Sequence, residues 1–220
     1  MADAAVVKGS IPDLAFEVQG AEPVRHAAAP TLAFALRIDS AGGGAVRAIL
    51  LDVQIQIAAR RRRYDRAEQE RLLDLFGAPE RWGSSLRTLL WARTTVVVPP
   101  FDDSTVVDVP VACSYDLEVA AARYLAALCD GEVPLELLFS GSLFYAGEGG
   151  ALQTVRLSWE HEAEYRLPVS AWRETMDRHF PGSAWIRVPR ESYDRLCAYR
   201  SRHALGDWED VVESLLAGRE

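Results

Sequence analysis

Lysine is almost missing from this chain: of 24 basic residues only Lys8 is not an arginine, and 32 acidic residues leave a formal net charge of −8. That balance argues against binding nucleic acid through a general basic surface, because phosphate attraction scales with the number of cations a protein brings. The arginine bias, with abundant alanine, reads as the imprint of a GC-rich genome rather than a demand for bidentate contacts. Cysteine is scarce too. Cys113, Cys129 and Cys197 are odd in number and far apart, unlike the dense, even set of a secreted disulfide framework, so a cytoplasmic location is expected. The first ten residues lack the charged front and apolar centre of a secretory signal, and no apolar run reaches the ~18 residues of a membrane span. No repeat or low-complexity tract is evident.

Catalytic signatures are also missing. A nucleophile needs a base within hydrogen-bond reach and, in one common arrangement, a Gly-x-Ser-x-Gly turn between strand and helix. Ser140-Gly141-Ser142 lies inside a strand pattern instead, where Gly141 marks a bulge or a close packing point. Zinc sites need Cys or His pairs at short spacing, and none of the three Cys or four His forms one. His161-Glu162 opens like a zincin motif, but Tyr165 stands where the second histidine belongs, so His161 is read as a hydrogen-bonded core histidine. The segment Ala41-Gly42-Gly43-Gly44-Ala45 has no Lys-Ser or Lys-Thr after it and joins two strands, which suits a flexible hairpin loop rather than a phosphate cradle. Asp102-Asp103, in a loop with Ser104 and Thr105, has the chemistry for a hard cation but too few grouped oxygen ligands, and a turn with side chains bonded to backbone amides is the expected reading. No metal or cofactor is expected.

What the chain does have is alternation. Ile49, Leu51, Val53, Ile55 and Ile57 recur every second residue and give way to Arg60, Arg61, Arg62 and Arg63. A period of two puts one row on a core face and the other in water, the pattern of a half-buried strand. Leu32 to Ile38 repeats it, as does Val107 to Tyr115, where Pro110 suggests a sheet edge or a bulge. Val96 to Val98 is a shorter apolar run. The clearest hairpin runs from Leu135 to Leu167 around Gly147-Glu148-Gly149-Gly150, its second arm carrying Trp159 and His161 on the apolar face and Glu160, Glu162 and Glu164 on the wet one. Helices are expected over Ala67 to Gly77 and from Leu117 to Leu128 behind a possible Asp116 cap. After Pro168 the period becomes helical: Ser170 caps one helix, an extended piece covers Ala184 to Val188, a second helix follows Pro189, and Asp207 caps a last one bearing Trp208, Val211, Val212, Leu215 and Leu216.

The fold class expected is α+β, mainly antiparallel β: a β-sandwich-like core over residues 11–168 with two inserted helices, and a helical segment over residues 169–220 packed on the same core. The candidate contact surface is the run Arg60, Arg61, Arg62 and Arg63 with Tyr64, out of keeping with an acidic protein; the competing reading is strand-end protection against edge-to-edge pairing. Six tryptophans, four of them in the last third, are mostly core, with one or two as interface anchors.

The stretch Tyr165 to Glu174, then Met176 to Gly182 and the closing Trp208-Glu209-Asp210, resembles an uncharacterised family of actinobacterial proteins, a resemblance that takes in the Leu137 to Tyr145 strand as well. Members are encoded near nickel-iron hydrogenase genes, which implies an accessory role in assembling a metalloenzyme and supplies no catalytic residues. Asp13-Leu14-Ala15-Phe16-Glu17 and Pro23 also resemble the export chaperone SecB over the first quarter of the chain. The expected function is that of a non-catalytic accessory protein that binds a protein partner, not nucleic acid or membrane. The alternatives are an enzyme whose site is built from His161, His179 or His203 with distant carboxylates, a SecB-like chaperone, and a homo-oligomeric structural protein.

Overall fold

The period-two rows become strands of two antiparallel sheets in the computed structural model, which describes residues 10–114, 116, 119–183 and 186–218, and of Trp159 the backbone alone. In chain order the elements are β1 (Asp13–Pro23), β2 (Thr31–Ala41), β3 (Val46–Ile57), α1 (Arg66–Arg71), α2 (Leu73–Phe76), α3 (Trp82–Ser85), β4 (Leu89–Val98), β5 (Ser104–Ala112), α4 (Ala120–Ala127), β6 (Glu132–Ala146), β7 (Leu152–Pro168), α5 (Val169–His179), α6 (Arg190–Arg202) and α7 (Trp208–Ala217). One sheet has the order β1-β2-β5 and the other β4-β3-β6-β7. The expectations for Tyr115, Leu117, Ala184 and the Trp159 side chain lie outside the described residues.

The chain divides after residue 184 into two compact units. In the first, the inward rows of the two sheets meet as a sandwich. Leu32, Phe34, Leu36 and Ile38 of β2 are fully buried, as are Ile49, Leu51, Ile55 and Ile57 of β3. Aromatic rings stitch the layers: Phe16 of β1 stacks on Phe139 of β6 at 4.5 Å between centroids, and Phe34 meets Trp91 of β4 edge-on at 5.9 Å and Tyr165 of β7 at 6.0 Å. Helix α5 joins this core through Val169, Trp172 and Met176. The second unit is the pair α6 and α7.

Gly141 explains how β6 passes so close to β3. Its φ of +143° is one that L side chains avoid, and a Cβ there would lie 2.0 Å from the carbonyl oxygen of Leu50. The register of β6 against β7 shifts beside it, between Phe139 and Gly141, so the bulge read from the sequence is there. Pro110 sits on β5, an edge strand of its sheet, where its missing N–H costs no ladder bond.

Five local expectations need correction. The glycine loop 41–45 joins β2 to β3, which lie in different sheets, so it is a crossover rather than a hairpin turn. Strand β4 begins at Leu89, well before Val96; a register shift between Ile55 and Gln56 of β3 breaks its alternation near Trp91 and hides its first half. The single helix over Ala67 to Gly77 is broken at Leu72, whose backbone leaves helical geometry (φ −99°, ψ 2°) while its side chain is fully buried. Helix α4 is preceded by Val119 and α5 by Pro168, neither with a side-chain cap, so Asp116 and Ser170 do not cap them. And β1, seen in the sequence only as a chaperone-like segment, is a full strand paired with β2, its inward row interrupted at Gly20.

Candidate functional site

The arginine run follows directly from how β3 ends. Beyond Ile57 the buried Ala58 and Ala59 lead out of this interior strand, and the chain closes a single 3₁₀ turn over Ala59–Arg61. Three residues per turn set successive side chains about a third of a turn apart, so neighbouring arginines leave in different directions. Arg60 donates to the carbonyl of Gly83 at 3.0 Å. Arg61 reaches the outer face of the four-stranded sheet, where Glu136 and Glu164 stand directly opposite each other on β6 and β7, and bridges both at 3.0 and 2.6 Å. Like charges in that register repel, and Arg61 placed between them offsets the repulsion. Arg63 is exposed.

Arg62 turns inward. Its guanidinium grips Glu68 of α1 with two bonds, 2.7 Å to Oε2 and 2.9 Å to Oε1, and the side chains of the pair are 9% and 4% exposed. Arg62 also donates to the carbonyls of Asp130, ahead of β6, and of Glu132, its first residue. Glu68 in turn accepts from the backbone N–H of Cys129 at 2.8 Å and of Asp65 at 3.4 Å. Burial pushes the Glu68 carboxyl up, but the Arg62 and backbone donors outweigh it and hold it below the usual carboxylate range. The signal for this hub was in the sequence: Asp65-Arg66-Ala67-Glu68 is a capping box, with Asp65 accepting from the Glu68 N–H at 2.8 Å.

Tyr64 completes the hub. Its hydroxyl donates to the Ala59 carbonyl at 2.6 Å and therefore accepts from the hydroxyl of the fully buried Tyr124 at 2.8 Å. Burial raises the pKa of both phenols. Rings of Trp82 and Phe76 pack edge-on around them. Of the five candidate contact residues, then, Arg60, Arg61 and Arg63 reach solvent, while Arg62 and Tyr64 direct their polar atoms into the fold.

Asp65, Glu68 and Cys129 bring one ligand atom each within 4.8 Å of one another. A cation there would have to displace Arg62, since both Glu68 oxygens already hold donors. The three candidate histidines have separate surroundings. His161 is half-buried against the Phe16 ring at 5.4 Å, with no ring hydrogen bond among the described residues, so its expected polar partner is replaced by an aromatic one. His179 has Nδ1 3.2 Å from the Thr175 carbonyl and Nε2 3.1 Å from that of Ala27, tying α5 to the β1–β2 turn. His203 lies against Tyr199. Two open clefts of about 510 Å³ mark the first unit, one lined by Cys129, Asp130, Arg173 and Asp177, the other by Asp52, Gln54, Arg93 and Ser140 on the outer sheet face; neither is lined by a histidine.

The second unit leaves apolar surface uncovered. Asp207 and Asp210 form a capping box that starts α7, and Tyr199 of α6 bonds Ser214 of α7 at 2.8 Å. Trp208 meets the Tyr193 ring at 5.6 Å and the Arg200 guanidinium at 5.3 Å. Yet Val211 is the one buried residue among those described in this unit, and Tyr193, Trp208, Val212, Leu215 and Leu216 are all exposed.

Fold and surface together define a two-sheet antiparallel β-sandwich protein with a helical pair at its C-terminal side in sequence. More particularly, the chain belongs to a family of unknown function, DUF6084, whose model matches residues 11–220. No curated protein matches it. Among solved structures it is similar to the CARDB domain of a Pyrococcus furiosus protein in complex with di-metal ions, at 13% identity and a TM-score of 0.28 over 71% of this chain and 92% of that one. It is similar also to a Bordetella pertussis protein assigned to ApaA, at 14% identity and a TM-score of 0.29 over 72% and 95%. β-Glucosidase 3B of Thermotoga neapolitana aligns at 13% identity and 0.26, over 70% of this chain but 17% of the enzyme. At these scores the likenesses carry no inference about chemistry. Among the described residues no helix is long and apolar enough to cross a membrane.

Proposed function

We propose that this protein is a non-catalytic, protein-binding module. One observation carries the reading: α6 and α7 present Tyr193, Trp208, Val212, Leu215 and Leu216 to solvent, a cluster of the aromatic and aliphatic types that anchor protein interfaces. Polar groups support it from the other side. In the first unit the buried charge is internally paired at Arg62 and Glu68, an arrangement that rigidifies a scaffold rather than offering a reactive group. An accessory role beside a metalloenzyme, such as a nickel-iron hydrogenase, is the form of this reading that the sequence resemblance implies. The test is affinity purification of the full chain from its native host, unaltered and as Val212→Glu with Leu216→Glu, with circular dichroism to verify folding. Specific partner chains fall at least tenfold in the variant; an identical set of partners from a folded variant overturns the reading.

A further inference from the structure

Resting on that reading, we infer that the occupant of the α6–α7 face is a second copy of this chain, the two helical pairs closing into an antiparallel four-helix bundle. Helix α7 carries apolar residues at 208, 211, 212, 215 and 216, a stripe wider than one neighbouring helix covers. Trp208 and Ser214 engage α6, and Leu215 shares a small cleft with Leu196 and Tyr199 of α6. Val212 and Leu216, 48% and 65% exposed, are left for something else. A two-helix unit of this size does not hold itself together in water on one buried valine.

Charge decides between occupants. From residue 185 onward six arginines face seven acids, so seven of the eight net negative charges precede it. Helix α7 has Glu209, Asp210 and Glu213 and no basic residue, while α6 has Arg190, Arg195, Arg200 and Arg202 against Glu191 and Asp194. The three acids of α7 disfavour an acidic occupant. A second copy's α6 attracts it, and a two-fold axis makes that match twice, α7 on α6 and α6 on α7. The apolar stripe supplies the attraction and the charges set the antiparallel pairing.

Light scattering after size exclusion tests this on the full chain. At ~50 μM the mass is expected to be twice the 24.3 kDa chain, to fall to one chain in the Val212→Glu, Leu216→Glu variant, and to dissociate at least tenfold more readily in Arg195→Glu with Arg202→Glu. A single-chain mass for the unaltered protein overturns self-association. If that monomer still captures a host partner that the α7 variant loses, the binding reading survives without it. If instead the α7 variant unfolds β2, β3 and β6 together with α7, with the loss of melting temperature typical of a core substitution, Val212 and Leu216 are core side chains and both readings fail.

Discussion

Replacing Arg62 with alanine should unfold this protein more readily than any other change in the arginine run. The substitution removes both bonds to Glu68 and the donors to the Asp130 and Glu132 carbonyls. It leaves a carboxylate of 4% side-chain exposure with only the Cys129 and Asp65 N–H groups for company. Stranding a buried charge in this way costs about 3–5 kcal/mol, which for a chain of this length lowers the melting temperature by on the order of 10 °C. Urea unfolding followed by circular dichroism measures it, with the slope checked so that a change in midpoint is a change in stability. Because the cost is that of an unpaired charge, Arg62→Ala with Glu68→Gln should be less destabilised than the sum of the single changes by at least about 1 kcal/mol. A loss under about 1 kcal/mol for Arg62→Ala, or strict additivity, would show that the guanidinium is not holding Glu68. Arg61→Ala is the contrast: an exposed side chain whose small effect disappears in ~1 M salt, where screening lengths fall to about 3 Å.

Acid should weaken the same hub. The Glu68 carboxyl is lowered from its ordinary 4.5 in the folded state, so the stability it contributes is complete above that value and is lost as pH falls through the lower folded value; a pH series of urea midpoints should flatten in this range for Glu68→Gln. Gly141→Ala should cost about 3 kcal/mol, since it adds a Cβ at 2.0 Å from the Leu50 oxygen and strains a positive φ, and a melt within 2 °C of the parent would contradict the tight β3–β6 approach. Burial pushes the Cys113 thiol up to about 12, so a maleimide should label the half-buried Cys129 and Cys197 in the native protein and reach Cys113 only in denaturant. Phe139→Ala should cost about 3–5 kcal/mol through loss of the Phe16 stack and a fully buried ring.

How much of this was legible varied with how local the physics was. The inward rows of β2, β3, β6 and β7 follow from period two alone, and the Asp207 cap and the Gly141 bulge are signals carried by single residues. The first half of β4 was hidden because a bulge near Trp91 breaks the alternation that identifies a strand. Sheet membership was not readable at the glycine loop, since a crossover between sheets and a hairpin turn ask for the same flexible residues. The arginine run was legible as charge but not as geometry. Which way each guanidinium points depends on the 3₁₀ turn after Ile57 and on carboxylates of β6 and β7 brought alongside by pairing over about a hundred residues of separation. The apolar stripe of α7 was visible as a helix pattern, and only the structure shows how little of it α6 covers.

Hydrogen–deuterium exchange of residues 208–217 in the native full chain, at two protein concentrations, tests the docking face most directly. A ten-residue helix with one buried side chain is marginal by itself. If a second copy covers it, its amides are protected at ~50 μM, exchange faster on dilution to ~0.5 μM, and lose protection at both concentrations in the Val212→Glu, Leu216→Glu variant, while β2, β3 and β6 stay unchanged. Protection of α7 that depends on neither concentration nor those two side chains would contradict it.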